Sequence, residues 1–180
     1  MKNVTVFIGS LREQSYNRML FKAYQTLSEG KLRLSEIDFH EFPFYNQDLQ
    51  DNEMPPEVVK AGELISESAG VLFISPEYNY SIPGALKNAI DWISRLDPQP
   101  LKGKPAAIMG CSPSNQGTSR MQYHLRQVGV FLDMRIMNGP EVMVSRCMDK
   151  FSKDGLDDSK TKEFLREHIQ AFKKHIVSLN

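Results

Sequence analysis

The sequence predicts an α/β fold, a doubly wound parallel sheet of five strands with helices on both faces. Three observations carry this reading. Short apolar runs at residues 4–8, 71–74 and 106–109 have the continuous hydrophobicity of strands buried on both sides. Between them lie longer stretches whose apolar residues recur every three or four positions, the period of a helix with one buried face. Strands and helices alternate along the chain, which requires parallel pairing and right-handed crossovers.

In chain order, the first strand covers residues 4–8. Met19, Leu20, Ala23 and Leu27 then place a helix from about Ser15 to just before Gly30. Leu32, Leu34 and Ile37 mark the second strand, and residues 40–51 read as a long aromatic loop. Pro55 and Pro56 open the next helix, with Val58, Val59, Ala61, Leu64 and Ile65 apolar. The third strand, 71–74, leads through a polar loop to a helix beginning at Pro83 and Gly84 and carrying Leu86, Ile90 and Ile93. The fourth strand is 106–109, with its loop at 110–117, followed by a helix bearing Met121, Leu125, Val128 and Leu132. Residues 134–137 begin the fifth strand, which 142–144 continue or extend. Residues 152–155 form a turn, and a last amphipathic helix runs from about Ser159 to Leu179. No repeat or linker interrupts this pattern, so residues 1–180 read as one domain.

Composition narrows the function. Lys and Arg number 22 and Asp and Glu 22, which leaves no electrostatic footprint for nucleic acid or an anionic membrane. No apolar run reaches the roughly 20 residues of a membrane span. The amino terminus enters a strand at once, and the expected location is the cytoplasm. Cys111 and Cys147 have neither metal-ligand spacing nor a disulfide framework and read as two small buried thiols. No metal site is expected.

In a doubly wound sheet of order 2-1-3-4-5, ligands bind beyond the carboxyl ends of the strands, between the first and third. The two most unusual loops follow those strands. In residues 75–92, Tyr78 and Tyr80 offer ring faces, while Asn79 and the backbone offer donors and acceptors. Residues 10–18 combine a helix start with Ser10, Arg12, Ser15 and Asn17, the ingredients of an anion site. With only Gly9 and no Gly-Lys-Ser, the loop suits a single terminal phosphate better than a dinucleotide pyrophosphate. Ser15 also serves as a helix cap. The loop at 110–116 should wall the far side. Glu77 reads as a structural acceptor, and His40, His124, His168 and His175 lie outside all three loops, with solvated or core roles expected.

These motifs resemble a known family. Gly9-Ser10-Leu11-Arg12-x-x-Ser15-x-Asn17, the run from Pro76-Glu77-Tyr78-Asn79 through Ile90-Asp91-Trp92, and Arg120-x-Gln122-Tyr123-His124-Leu125-Arg126-Gln127 are similar to the NADPH-dependent FMN reductases, in particular the bacterial quinone and chromate reductases. The resemblance implies a flavodoxin-like fold holding one FMN, with NADPH or NADH as electron donor. Small-molecule acceptors would be quinones, azo dyes, chromate or free flavin. Carried over by position, Ser10, Arg12, Ser15, Tyr16 and Asn17 would hold the phosphate and ribityl chain. Pro76, Glu77, Tyr78 and Asn79 would hold the ring edge, with Ser112 on the opposite wall. No catalytic side chain is implied, because the flavin carries the redox chemistry. The resemblance further implies a homodimer or homotetramer, with contacts around Arg120, Tyr123 and Glu141. The third loop departs from the family's glycine-rich form: Ser114 and Thr118 stand where glycines are usual, and both are expected to narrow the space beside the ring. A flavodoxin-type electron carrier is the main rival, disfavoured by the balanced charge; a flavin-binding regulatory module is another.

Overall fold

The computed structural model describes residues 1–179. Its sheet has the order β2-β1-β3-β4-β5, from Leu32–Glu36, Lys2–Ile8, Gly70–Ile74, Pro105–Cys111 and Arg135–Ile136 respectively. A further strand, β6 (Val142–Val144), also pairs with β4, and every pairing in this sheet is parallel. The expected fifth strand is therefore two pieces. Arg135 and Ile136 lie beside Pro105 and Ala106, while residues 142–144 lie beside residues 109–111. Pro140, which has no N–H for a ladder, falls in the gap.

The strands alternate strictly between two cores. Val4, Val6, Ile8, Leu72, Ile74, Ala107 and Met109 pack with α1 (Tyr16–Leu27) and α6 (Ser159–Leu179). Phe7, Val71, Phe73, Ala106 and Ile108 face the other way, toward α3 (Pro56–Glu67), α4 (Gly84–Ile93) and α5 (Ser119–Phe131). This period of two, with both faces apolar, is what made the strands read as unbroken hydrophobic runs.

Two local expectations need correction. The aromatic loop contains a short helix, α2 (Gln47–Asn52), which has no buried residue and hence no periodic signal to reveal it. It begins where the Asn46 side chain accepts from the Asp48 N–H. Strand β4 continues through Gly110 and Cys111, so the third loop starts at Ser112. After a 3-10 turn at Cys147–Asp149, the turn at 152–155 closes a small antiparallel hairpin between β7 (Phe151–Ser152) and β8 (Gly155–Leu156).

Candidate cofactor site

The loops after β1, β3 and β4 converge because the strand ends approach unusually closely. A methyl on Gly9 would lie 2.1 Å from the Ser75 Oγ, and one on Gly110 would lie 2.0 Å from the Ser75 carbonyl oxygen. Only hydrogen fits on either side, so Ser75 is flanked by bare backbone. The Gly9 N–H donates to the Ile74 carbonyl at 2.8 Å, and the Ser75 N–H to that of Met109 at 3.1 Å. The first and central loops touch through Ser10 Oγ and the Tyr78 hydroxyl, 3.4 Å apart.

The first loop keeps its donors open. Ser15 caps α1, its Oγ accepting from the Arg18 N–H at 3.1 Å. The first helical N–H groups have no carbonyl one turn back to bond. Among the described residues, the N–H groups of residues 11–14 make no backbone hydrogen bond, and the exposed Arg12 guanidinium has no acidic partner. Arg18, by contrast, forms a two-pronged pair with Glu36 at 2.7 and 2.8 Å. That pairing raises the Arg18 pKa above its usual value and keeps the residue beside β2. Asn17 is buried, with its amide on the Cys111 backbone: Nδ2 donates to the carbonyl at 2.9 Å and Oδ1 accepts from the N–H at 3.0 Å. It ties α1 to β4. Tyr16 packs against Phe151, ring centroids 5.8 Å apart.

The central loop is a tight turn. Tyr78 and Ser81 exchange both backbone hydrogen bonds, and Asn79 and Tyr80 between them have φ of 49° and 66°. Two successive positive φ values define a type I′ turn, which favours Asn at its first position but strains a tyrosine at its second by roughly 1–2 kcal/mol. That strain is opposed by ties to α5. Glu77 accepts from the Met121 N–H at 3.0 Å and lies 3.6 Å from the Arg120 guanidinium, which sits 4.0 Å above the Tyr80 ring. Ser81 Oγ hydrogen-bonds His124 Nδ1 at 2.7 Å. The structural role expected for Glu77 is therefore observed. His124 is exposed and lies outside the three loops, as expected, yet it reaches the central loop from a helix 43 residues away. Tyr78 and Tyr80 remain half or more exposed. The later half of the motif has other work. Trp92 Nε1 and Asn88 Nδ2 both donate to the Pro43 carbonyl, at 2.7 and 2.8 Å, and so secure the aromatic loop.

The third loop is closed on itself. Ser112 Oγ donates to the Gly117 carbonyl at 2.6 Å and accepts from the Ser114 N–H at 3.2 Å. Gly117 takes a φ of 61°, a position where glycine is retained, whereas Ser114 and Thr118 are free of positive φ. Thr118 is fully buried, accepts from Gln122 Nε2 at 3.0 Å, and faces Gly110. The expectation that it narrows the site is incorrect: its side chain points into the fold. The first turn of α5 is partly occupied by Glu77, which accepts from the Met121 N–H.

A flat anionic cofactor fits these residues. A helix start with unpaired N–H groups and an unpaired guanidinium suits a single phosphate, and exposed tyrosines beside it suit a ring. Comparisons with known proteins point the same way. The family model for NADPH-dependent FMN reductase matches residues 2–149. An NAD(P)H-dependent FMN reductase of Pseudomonas aeruginosa is 44% identical over 164 residues, covering 91% of this chain and 89% of its own. A quinone reductase of Escherichia coli is 40% identical over 178 residues, covering 96% and 94%. Among solved structures, a flavoenzyme NAD(P)H:(acceptor) oxidoreductase from Paracoccus denitrificans superposes with a TM-score of 0.92 at 37% identity, over 99% of this chain and 98% of that one.

Proposed function

The chain belongs to the NADPH-dependent FMN reductase family, and on that premise we propose that it is an FMN-dependent NAD(P)H:quinone oxidoreductase working by ping-pong turnover. FMN, when bound, supplies the redox chemistry, taking a hydride from NAD(P)H and passing electrons to the acceptor. The observation that carries this reading is the first loop, whose open N–H groups and free Arg12 meet the tyrosine-bearing turn through Ser10 and Tyr78.

Ser10, Arg12, Ser15 and Tyr16 hold the phosphate end, with Asn17 fixing their loop. Pro76, Glu77, Tyr78 and Asn79 present the turn that receives the ring, and Ser112 shapes the opposite wall. Glu77 and Arg120 orient the turn, so the ring-facing backbone is preorganised before a substrate arrives. No side chain is assigned as acid or base. Chromate, azo dyes and free flavin are proposed as further acceptors, alongside quinones.

The protein is proposed to act in the cytoplasm as a single domain of residues 1–180, assembled as a homodimer or homotetramer. No helix of the described residues is long and apolar enough to cross a membrane. Exposed Tyr123, Val130 and Phe131 along α5 support subunit contact on that helix. Purified protein mixed with NADPH, with and without a benzoquinone, tests the activity, and mass spectrometry of the flavin released on denaturation tests the cofactor. Quinone-dependent NADPH oxidation with FMN released is expected; FAD, or no flavin even after soaking, overturns the reading.

A further inference from the structure

Cys111 and Cys147, both fully buried, meet beneath the third loop. Cys111 ends β4, and Cys147 begins the 3-10 turn after β6. Backbone bonds join their segments on both sides: Ser112 N–H to the Val144 carbonyl at 3.0 Å, Cys147 N–H to that of Ser112 at 3.1 Å, and Arg146 N–H to that of Ser114 at 3.0 Å. These bonds hold the two segments side by side, and the two thiols lie close enough for each to shift the other's titration.

We propose that this pair is an oxidisable dithiol, closed by hydroperoxide to an intramolecular disulfide that shifts the third loop and slows acceptor reduction. The consequence for turnover rests on the reductase reading above; the cross-link itself does not. Sulfurs in a disulfide lie about 2.05 Å apart, well inside the contact distance of two thiols, so Cys111 and Cys147 must move together. The Asn17 amide grips the Cys111 backbone, and Ser112 next to it closes the third loop. Movement there is felt at both the first and third loops. Arg146, just before Cys147, has a φ of 48°, a strained joint beside one of the two thiols.

The two sulfurs are chemically unequal. The neighbouring Cys111 thiol, the N–H groups of Cys147 and Met148, and the charge of Lys150 hold the Cys147 pKa below that of an ordinary thiol. Burial pushes Cys111 up. Cys147 is then the nucleophile and Cys111 the resolving thiol. The Cys147 thiolate attacks one peroxide oxygen, the O–O bond breaks, and the departing hydroxide takes up a proton, leaving Cys147 as a sulfenic acid. The Cys111 sulfur then attacks the Cys147 sulfur, expelling hydroxide, which leaves as water with the Cys111 proton. Overall, two thiols and one hydrogen peroxide yield one disulfide and two waters.

The test treats FMN-loaded protein with hydrogen peroxide, quenches with an alkylating agent in denaturant, and maps peptides by mass spectrometry. A Cys111–Cys147 peptide two mass units lighter than the two thiols is expected, with quinone-dependent NADPH oxidation lowered at least threefold and restored by dithiothreitol. Cys147→Ala and Cys147→Ser should keep the untreated rate and lose sensitivity to peroxide. Oxidation of the exposed Met148 with both thiols still alkylatable overturns the proposal, as does a linked protein with unchanged turnover. If the untreated protein has no reductase activity, that reading fails separately; linkage and FMN affinity, read by fluorescence titration, still decide the dithiol. An unlinked protein then overturns it, as does a linked one that binds FMN like the reduced form.

Discussion

The loops after β1 and β4 contain similar residues, serine, asparagine and glutamine beside a helix start, yet they use them in opposite ways. The first leaves the N–H groups of residues 11–14 and the Arg12 guanidinium free. The third turns Ser112 and Ser114 back onto its own backbone and buries Thr118. A polar loop is thus a candidate binding loop according to what it leaves unsatisfied and open, not according to its composition. Asn17 makes the point within the first loop itself, being a binding-type residue occupied by the Cys111 backbone.

The sharpest way to break that distinction is Asn17→Ala. Loss of the amide leaves a buried N–H and carbonyl of Cys111 without partners, and the fold should lose about 3–4 kcal/mol. Urea unfolding of the apo protein measures this, and a loss below about 1 kcal/mol would mean that Asn17 is chiefly a ligand group.

A second test asks whether an unused polar atom alone marks a site. His168 Nδ1 meets the Tyr24 hydroxyl at 3.0 Å, but its Nε2 is buried with no partner. Desolvation lowers the His168 pKa to about 4, so the folded protein resists protonation that the unfolded chain accepts near 6.5. The unfolded state therefore binds more protons between these values, and stability should fall by about 3 kcal/mol as pH drops from 7 to 4. Urea midpoints across this range should show the decline, reduced in His168→Gln. An unchanged slope in that variant would assign the acid sensitivity elsewhere.

Arg12→Ala addresses the open loop directly. Removing a charged donor should weaken FMN binding by about 1.5–3 kcal/mol, while apo stability barely changes. Flavin fluorescence titration reads the first quantity, and equal affinity for both proteins would remove Arg12 from the site. The smallest effect belongs to the closed loop. Thr118→Gly removes an acceptor for Gln122 and should cost about 1 kcal/mol of stability, leaving the range of quinones reduced unchanged. A widened acceptor range would restore Thr118 to the wall of the site.

Much of this architecture was legible in the sequence because its signals are local. Apolar runs fixed the strands, and the stripe from Phe164 to Leu179 placed α6 from Ser159 to Leu179 as observed. Strand order and loop chemistry together pointed to the carboxyl edge of the sheet, where the loops after β1 and β3 meet through Ser10 and Tyr78. The split between β5 and β6 was not legible, since each piece is defined only by its partner on β4. Nor was His124, whose bond to Ser81 exists only once α5 packs beside the central loop. For Ser112, Asn17 and Thr118 the obstacle was chemical: a hydroxyl or amide that can bind a ligand can equally satisfy backbone, and the residue type does not say which. The Asn79 and Tyr80 turn left a faint trace, since Asn tolerates positive φ.

The broken edge beside β4 bears on solubility. A sheet edge offers any other chain a row of unpaired amides and carbonyls, and a long, flat, apolar row invites aggregation. Here one edge is cut into pieces of two and three residues, separated by a stretch containing Pro140. The opposite edge, β2, is five residues long and carries exposed Arg33, Ser35 and Glu36. A neutral protein has little net repulsion to keep its copies apart, so the task falls to these two margins, which give a partly folded neighbour too short or too charged a template to extend.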